Sequence, residues 1–155
     1  MSARTVTMIV EDARWRNAPA LVPAIRRAVV LARARAAKEA SRRSQIAVLL
    51  TGDAKLRALN RQFRGKDQTT NVLSFPTAAA GNLGDIAIAY GITAREAAEQ
   101  DKSFAHHAIH LAVHGTLHLL GHDHQTAREA RAMERREKEI LSELGVADPY
   151  AKAAA

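Results

Sequence analysis

The 155-residue sequence contains no cysteine, which excludes disulfide bridges, thiolate metal sites and thiol nucleophiles. Aromatic residues are scarce, with one tryptophan, two tyrosines and three phenylalanines. The core must therefore be built mainly from aliphatic side chains, alanine prominent among the apolar 47%. No apolar run approaches the ~18–20 residues that span a membrane. The opening MSARTVTMIVEDAR has an apolar run too short for a secretory signal, with acidic residues directly after it. These absences lead to the expectation of a soluble, cytoplasmic protein with no membrane partner. The length suits one domain over 1–155 that buries roughly two-thirds of its unfolded surface. The alanine-rich tail from about residue 150 is expected to be disordered.

Acidic residues are the minority charge, 16 against 23 lysines and arginines, for a net charge of +7. A balance this basic suits an anionic partner such as nucleic acid, although arginine- and alanine-rich composition also follows from a GC-rich genome. The distribution is uneven. Arg26 to Arg43 holds seven bases against Glu39 alone, and Lys55 to Lys66 holds five with no acid. From Arg128 to Glu143 the charges balance at helical spacing, which reads as a solvated helix face.

Hydrophobic periodicity divides the chain into strands and helices. TVTMIV (5–10) alternates as a first strand. Asn17 and Pro19 open a helix with Leu21, Ile25, Val29 and Ala32 on one stripe, running to about Ala40. QIAVLL (45–50) reads as a strand buried on both faces. Thr51 and Asp53 are candidate caps for the next helix, where Leu56, Leu59 and Phe63 recur at helical spacing. After a polar loop, RGKDQTTN (64–71), VLSFP (72–76) reads as an edge strand and LGDIAIA (83–89) as another strand. Thr93 and Glu96 form a capping box for a short helix, and Thr126 with Glu129 a second for a last helix ending at Gly145. Between them a long helix runs from about Ser103 to Leu120, closed by Gly121. The sum is an α+β fold: a small, mostly four-stranded sheet, helices on one side of it, and a central helix rich in histidine.

That helix ends in HGTLHLLGHDH (114–124), which holds four of the chain's seven histidines. His114 and His118 lie one helical turn apart, and Gly121 allows the chain to bring His124 back as a third ligand. Three imidazoles with a free fourth position is the pattern of a catalytic rather than a structural metal site. An ion held so can activate water or polarise a phosphoryl or carbonyl oxygen. His107 and His110 share the helix face of this pair, in roles that sequence leaves open between orienting the site and plain structure. The spacing H-x-x-x-H-x-x-G-x-x-H also fits the frame of zinc proteases, but Gly115 stands where their catalytic glutamate belongs.

These motifs together resemble the YbeY family of bacterial endoribonucleases. The family signature resembles HGxLHLxGYDH, with His122 here replacing tyrosine. LNRQFRGKDQTTNVLSFP (59–76) is similar to its LNxxYRxxDxPTDVLSFP, LGDIAIA matches its Leu-Gly-Asp strand, and AHHAIHLAVHG resembles its lead-in. The resemblance covers about residues 45–145. It implies a zinc-dependent endoribonuclease that prefers single strands and acts in 16S rRNA 3′-end maturation and ribosome quality control. The implied partners are the small ribosomal subunit, ribosomal proteins and an Era-type GTPase. His114, His118 and His124 match the metal ligands, one Zn²⁺ per chain, although imidazoles also suit nickel or copper. Arg64 matches the family's functional arginine, so Arg64 and His114 are the candidate catalytic residues, with Arg61 and Lys66 as RNA-backbone contacts. Thr69 stands where the family has proline, which is expected to free the loop backbone. Phe63 and Phe75 are expected in the core, and Asp85 either orients a ligand histidine or orders its strand. Two other readings remain: a zincin-like peptidase or hydrolase, disfavoured by Gly115, and a ribosome-associated factor with a structural metal.

Overall fold

The computed structural model describes residues 6–77 and 79–151. The elements are β1 (Val6–Val10), α1 (Leu21–Ala36), β2 (Gln45–Thr51), α2 (Asp53–Arg64), β3 (Val72–Pro76), β4 (Asn82–Ala89), α3 (Tyr90–Glu99), α4 (Phe104–Leu119) and α5 (Ala127–Glu143). The fold is α+β, with one sheet in the order β1-β2-β4-β3. β1, β2 and β4 run parallel, and β3 pairs antiparallel with β4 at the edge. Among the described residues no helix is long and apolar enough to cross a membrane.

Alternation along the strands creates two unequal cores. Ile46, Val48, Leu50, Ile86 and Ile88 point to one face, where they pack with Ile25, Val29, Ala112 and Leu117 of α1 and α4. The opposite face carries Leu73, Ala87 and Ala89, covered by Leu56 of α2. Helices therefore lie on both sides of the sheet rather than on one. α2 is short and covers only part of its face, so Ala47 and Leu49 of β2 stay partly exposed and β2 is fully buried on one side only. Trp15 fills the space beside α3 and α4, its ring near Tyr90 and Phe104 and its indole N–H donated to the Thr51 carbonyl at 2.9 Å.

Several helix boundaries differ from the sequence reading. The first helix stops at Ala36, and a separate 3-10 turn occupies Glu39–Ser41. Gly52, not Thr51 or Asp53, caps α2; Thr51 is a buried strand residue, and the Asp53 carboxylate instead accepts from Ile92 N at 2.9 Å. Thr93 lies inside α3, its hydroxyl donated back to Ala89 O, so Thr93 and Glu96 form no capping box. The Thr126 cap is present, accepting from Glu129 N at 3.1 Å. At the tail, Tyr150 is held in place and residues 152–155 lie outside the described region.

Three of the four arginines of α1 serve the fold. Arg26 donates to Val6 O at 3.2 Å, buried Arg33 to Ser44 O at 2.7 Å, and Arg35 pairs with Glu143 at 2.8 Å. Of the two basic stretches, it is the second, on α2 and its following loop, that borders the histidines.

Candidate metal centre and its cleft

α4 is the central helix, in contact with α1, α3, α5, β3 and β4. Ser103 caps it, accepting from His106 N at 3.1 Å. At the other end Gly121 takes φ 95°, a left-handed conformation that favours glycine, and His122 N reaches back to Leu117 O at 3.0 Å. This reversal returns His124 toward the helix. The rings of His114 and His118 lie 4.6 Å apart, and His124 stands 5.1 Å from His118 and 5.9 Å from His114.

Gly115 explains the absent glutamate. It faces the sheet, where a Cβ would lie 2.9 Å from Ile86 Cγ2 and 3.2 Å from Ser74 Oγ. Its own carbonyl accepts from the Ser74 hydroxyl at 2.9 Å, which locks α4 onto β3. Position 115 is thus a contact between helix and strand, with no room for a longer side chain.

A residue read as part of a solvated helix face holds the site from behind. Glu137 of α5 is 1% exposed, and its carboxylate accepts from His114 Nδ1 and His110 Nε2, each at 2.7 Å, and from the Tyr150 hydroxyl at 2.5 Å. Burial alone would raise this carboxyl, but the hydrogen bonds from His110, His114 and Tyr150 outweigh it and hold it at about 2. Ionised Glu137 fixes the proton of His114 on Nδ1, so the Nε2 lone pair faces the cleft. The sequence signal is a carboxylate at helical spacing with Met133, Ile140 and Leu141, on the buried side of α5. His110 therefore belongs to this buried network, whereas His107 bonds Glu96 Oε1 at 2.9 Å, away from the cleft. His106 is exposed, and His122 lines the turn.

The donor set fits a metal ion. Ligand nitrogens of His114, His118 and His124 all lie within 4.8 Å of one another. His114 Nε2 and His118 Nε2 are 3.1 Å apart, close to the ~3.3 Å between two nitrogens of a tetrahedral ion with ~2.0–2.1 Å bonds. Burial, aided by the neighbouring His114 and His124, depresses His118 to about 4, so its imidazole is neutral and able to ligate at neutral pH.

The histidines line a cleft of about 820 Å³ that Arg64 and Lys66 also line. Arg64 ends α2 and donates Nη2 at 2.9 Å to the carbonyl of Ser74, the same residue whose hydroxyl bonds α4. The loop after it is tied down: Asn60 Nδ2 donates to Gln68 O at 2.9 Å, and Thr69 Oγ1 to Asp53 O at 3.0 Å. Thr69 thus anchors the loop rather than freeing it. Arg61 lies on the exposed side of α2, outside the cleft walls. Asp85 is exposed on the sheet face away from α4, paired across strands with Phe75, and orients no histidine. Phe75 is partly buried and packs against the core beneath α2, whereas Phe63, on the last turn of α2, is 60% exposed and not core as the sequence suggested.

A family model described as endoribonuclease YbeY matches residues 19–145. The chain is 46% identical over 156 residues to the endoribonuclease YbeY of Chelativorans sp. (strain BNC1), covering 96% of this chain and 94% of that one. Its identity to the endoribonuclease YbeY of Rhodopseudomonas palustris (strain BisA53) is 54% over 117 residues, 70% of this chain and 68% of the relative. The solution structure of TM1509 from Thermotoga maritima shares the fold, with TM-score 0.59 and 22% identity over 95% of this chain and 99% of that one. With the family model spanning both the arginine segment and the histidine helix, the chain belongs to the YbeY family of endoribonucleases, enzymes that cleave RNA.

Proposed function

We propose that this endoribonuclease is zinc-dependent, cuts single-stranded RNA, and acts in the cytoplasm on the 3′ end of 16S rRNA and in ribosome quality control. The observation that carries the reading is that Arg64 and Lys66 line the same open cleft as His114, His118 and His124. A zinc ion held by the three histidines would supply a Lewis acid for the phosphoryl group and a more acidic water. Arg64 is the residue that meets the phosphate. One of its amino groups is held by Ser74 O, which leaves further N–H groups in a fixed fork for non-bridging oxygens. Such a donor, set before the reaction begins, stabilises charge as it develops at phosphorus. Lys66 adds an attraction for the backbone that is blind to sequence, and Arg61 extends it along α2. Glu137 keeps His114 in one tautomer and orientation, a positioning role.

The peptidase alternative lacks its base, and Gly115 leaves no space for one. The deciding experiment is cleavage of a single-stranded RNA by the purified protein, with and without chelator, alongside metal analysis. Cleavage is expected to disappear with chelator and in His114→Ala and Arg64→Ala, with both variants folded. If both variants cut as well as the wild type, the activity belongs to a contaminant and the assignment fails. Tight ribosome binding with no cleavage at any zinc loading would favour a ribosome-associated factor with a structural metal.

A further inference from the structure

The part of the sheet that α2 leaves open forms an apolar recess of about 720 Å³ on the far side of β3 from the histidines. Its floor includes Ile9 of β1, Leu49 of β2 and Phe75 of β3, with Asp85 of β4 directly across from Phe75. Phe63, on the last turn of α2, stands over Phe75 with ring centroids 5.3 Å apart and planes at 58°. Most of the Phe63 ring is in water, 60% exposed, and Ile9 is 46% exposed. Phe63 belongs to neither core. Arg64, Ser74 and Pro76 border both this recess and the histidine cleft. The two are therefore joined over the edge strand, with the guanidinium at the junction. Aromatic rings beside a basic track are how single-stranded nucleic acid is held without sequence readout, one base stacking while its phosphate is neutralised.

We propose that the recess is a nucleobase subsite: the base attached to the phosphate on Arg64, or the next along the strand, turns over β3 and stacks on Phe63 and Phe75. Asp85, which makes no side-chain hydrogen bond or ion pair among the described residues, accepts from an exocyclic amine at the base edge, as carboxylates do from cytosine. The subsite thus prefers adenine, cytosine or guanine to uracil. This rests on the RNA-cleaving reading and adds to it where the strand goes after the cleft.

The test measures binding of a labelled ten-nucleotide single-stranded RNA by anisotropy, with chelator present so that the strand stays intact. Phe63→Ala is expected to weaken binding about tenfold, within the range of single base–aromatic stacks. Phe63→Trp is expected to restore it, and both should melt near the wild type because the ring is mostly solvent-exposed. Scanning a single abasic position along the strand should find one site that weakens the wild type as much as Phe63→Ala does, and that has no further effect on the variant. Asp85→Asn should narrow the gap between amine-bearing bases and uracil at that position. If wild-type protein binds and cuts RNA while Phe63→Ala binds equally well and no abasic position matters, the subsite is wrong, the cleavage reading stands, and the recess is better explained as a protein-docking face. If wild type neither binds nor cuts RNA, the cleavage reading itself fails and the subsite with it.

Discussion

Replacing Glu137 by glutamine preserves the shape of the side chain and removes its charge. The carboxylate now satisfies three donors, with contacts of 2.5 to 2.7 Å to Tyr150, His110 and His114. Glutamine has a single acceptor oxygen. If that oxygen faces His110 and Tyr150, the amide N–H₂ meets His114 Nδ1, and the imidazole must move its proton to Nε2. The lone pair needed by a metal is then lost. If the oxygen faces His114, the ligand tautomer survives, but His110 must change its own tautomer and the Tyr150 hydroxyl must reverse. Either arrangement exchanges charge-assisted bonds for weaker ones, or leaves a buried donor unpaired, at a cost of about 1–3 kcal/mol. For a domain of this size that lowers the melting temperature by roughly 3–10 °C. Loss of such a supporting carboxylate typically weakens metal binding by about 10–100-fold. Zinc affinity measured by competition with a chromophoric chelator, together with calorimetric melting, reads both effects. A Glu137→Gln protein that binds zinc and melts like the wild type would refute the positioning role.

Arg64→Ala should reduce RNA cleavage by about 10²–10³-fold, the usual loss for one preset oxyanion donor. Its melting temperature should hardly move, since Arg64 is exposed, and Arg64→Lys should recover only part of the rate. Gly115→Glu, which restores the protease motif, should lower stability by roughly 4 kcal/mol or more by forcing a carboxylate between α4 and β3. It should show no peptidase activity; a stable, proteolytic variant would contradict the packing argument. His107 provides a pH prediction. Burial lowers it from 6.5 despite Glu96, with His110 and Lys102 adding to the lowering. The unfolded chain therefore takes up a proton below pH 6.5 that the folded chain resists, and stability falls as pH drops from 6.5. The slope from this group is at most about 1.4 kcal/mol per pH unit. Urea melts at several pH values between 5 and 7 should show a shallower slope in His107→Gln, and identical slopes would remove His107 as the cause.

The legible parts of this protein were those written in local sequence. Alternation, helical period and cap motifs located the four strands and five α-helices, though not the 3-10 turns at Ala13–Arg16 and Glu39–Ser41, and the Gly121 turn brought three histidines together. Glu137 was hidden because local charge balance outweighed its position among Met133, Ile140 and Leu141, and the buried side of α5 is set by a distant helix. The two displaced caps failed for a related reason. Thr51 and Thr93 carry cap-forming side chains, but tertiary contacts set where the helices start, leaving one in the sheet and the other inside α3. Phe63 looked like core because its spacing matches Leu56 and Leu59; how far the sheet extends beyond the helix that covers it is a property of the whole fold.

The reversal at Gly121 also bears on how a metal enters and leaves. His114 and His118 are held in advance by α4, and His114 is braced further by Glu137. His124 sits on the turn, with its side chain 58% exposed. His114 and His118, both carried on α4, would then hold the metal first, with His124 as the third ligand. In the proposed site, exchange with free metal would be governed by opening of the segment from 121 to 126, not by unfolding of the domain. Stiffening that segment should slow release far more than it raises affinity.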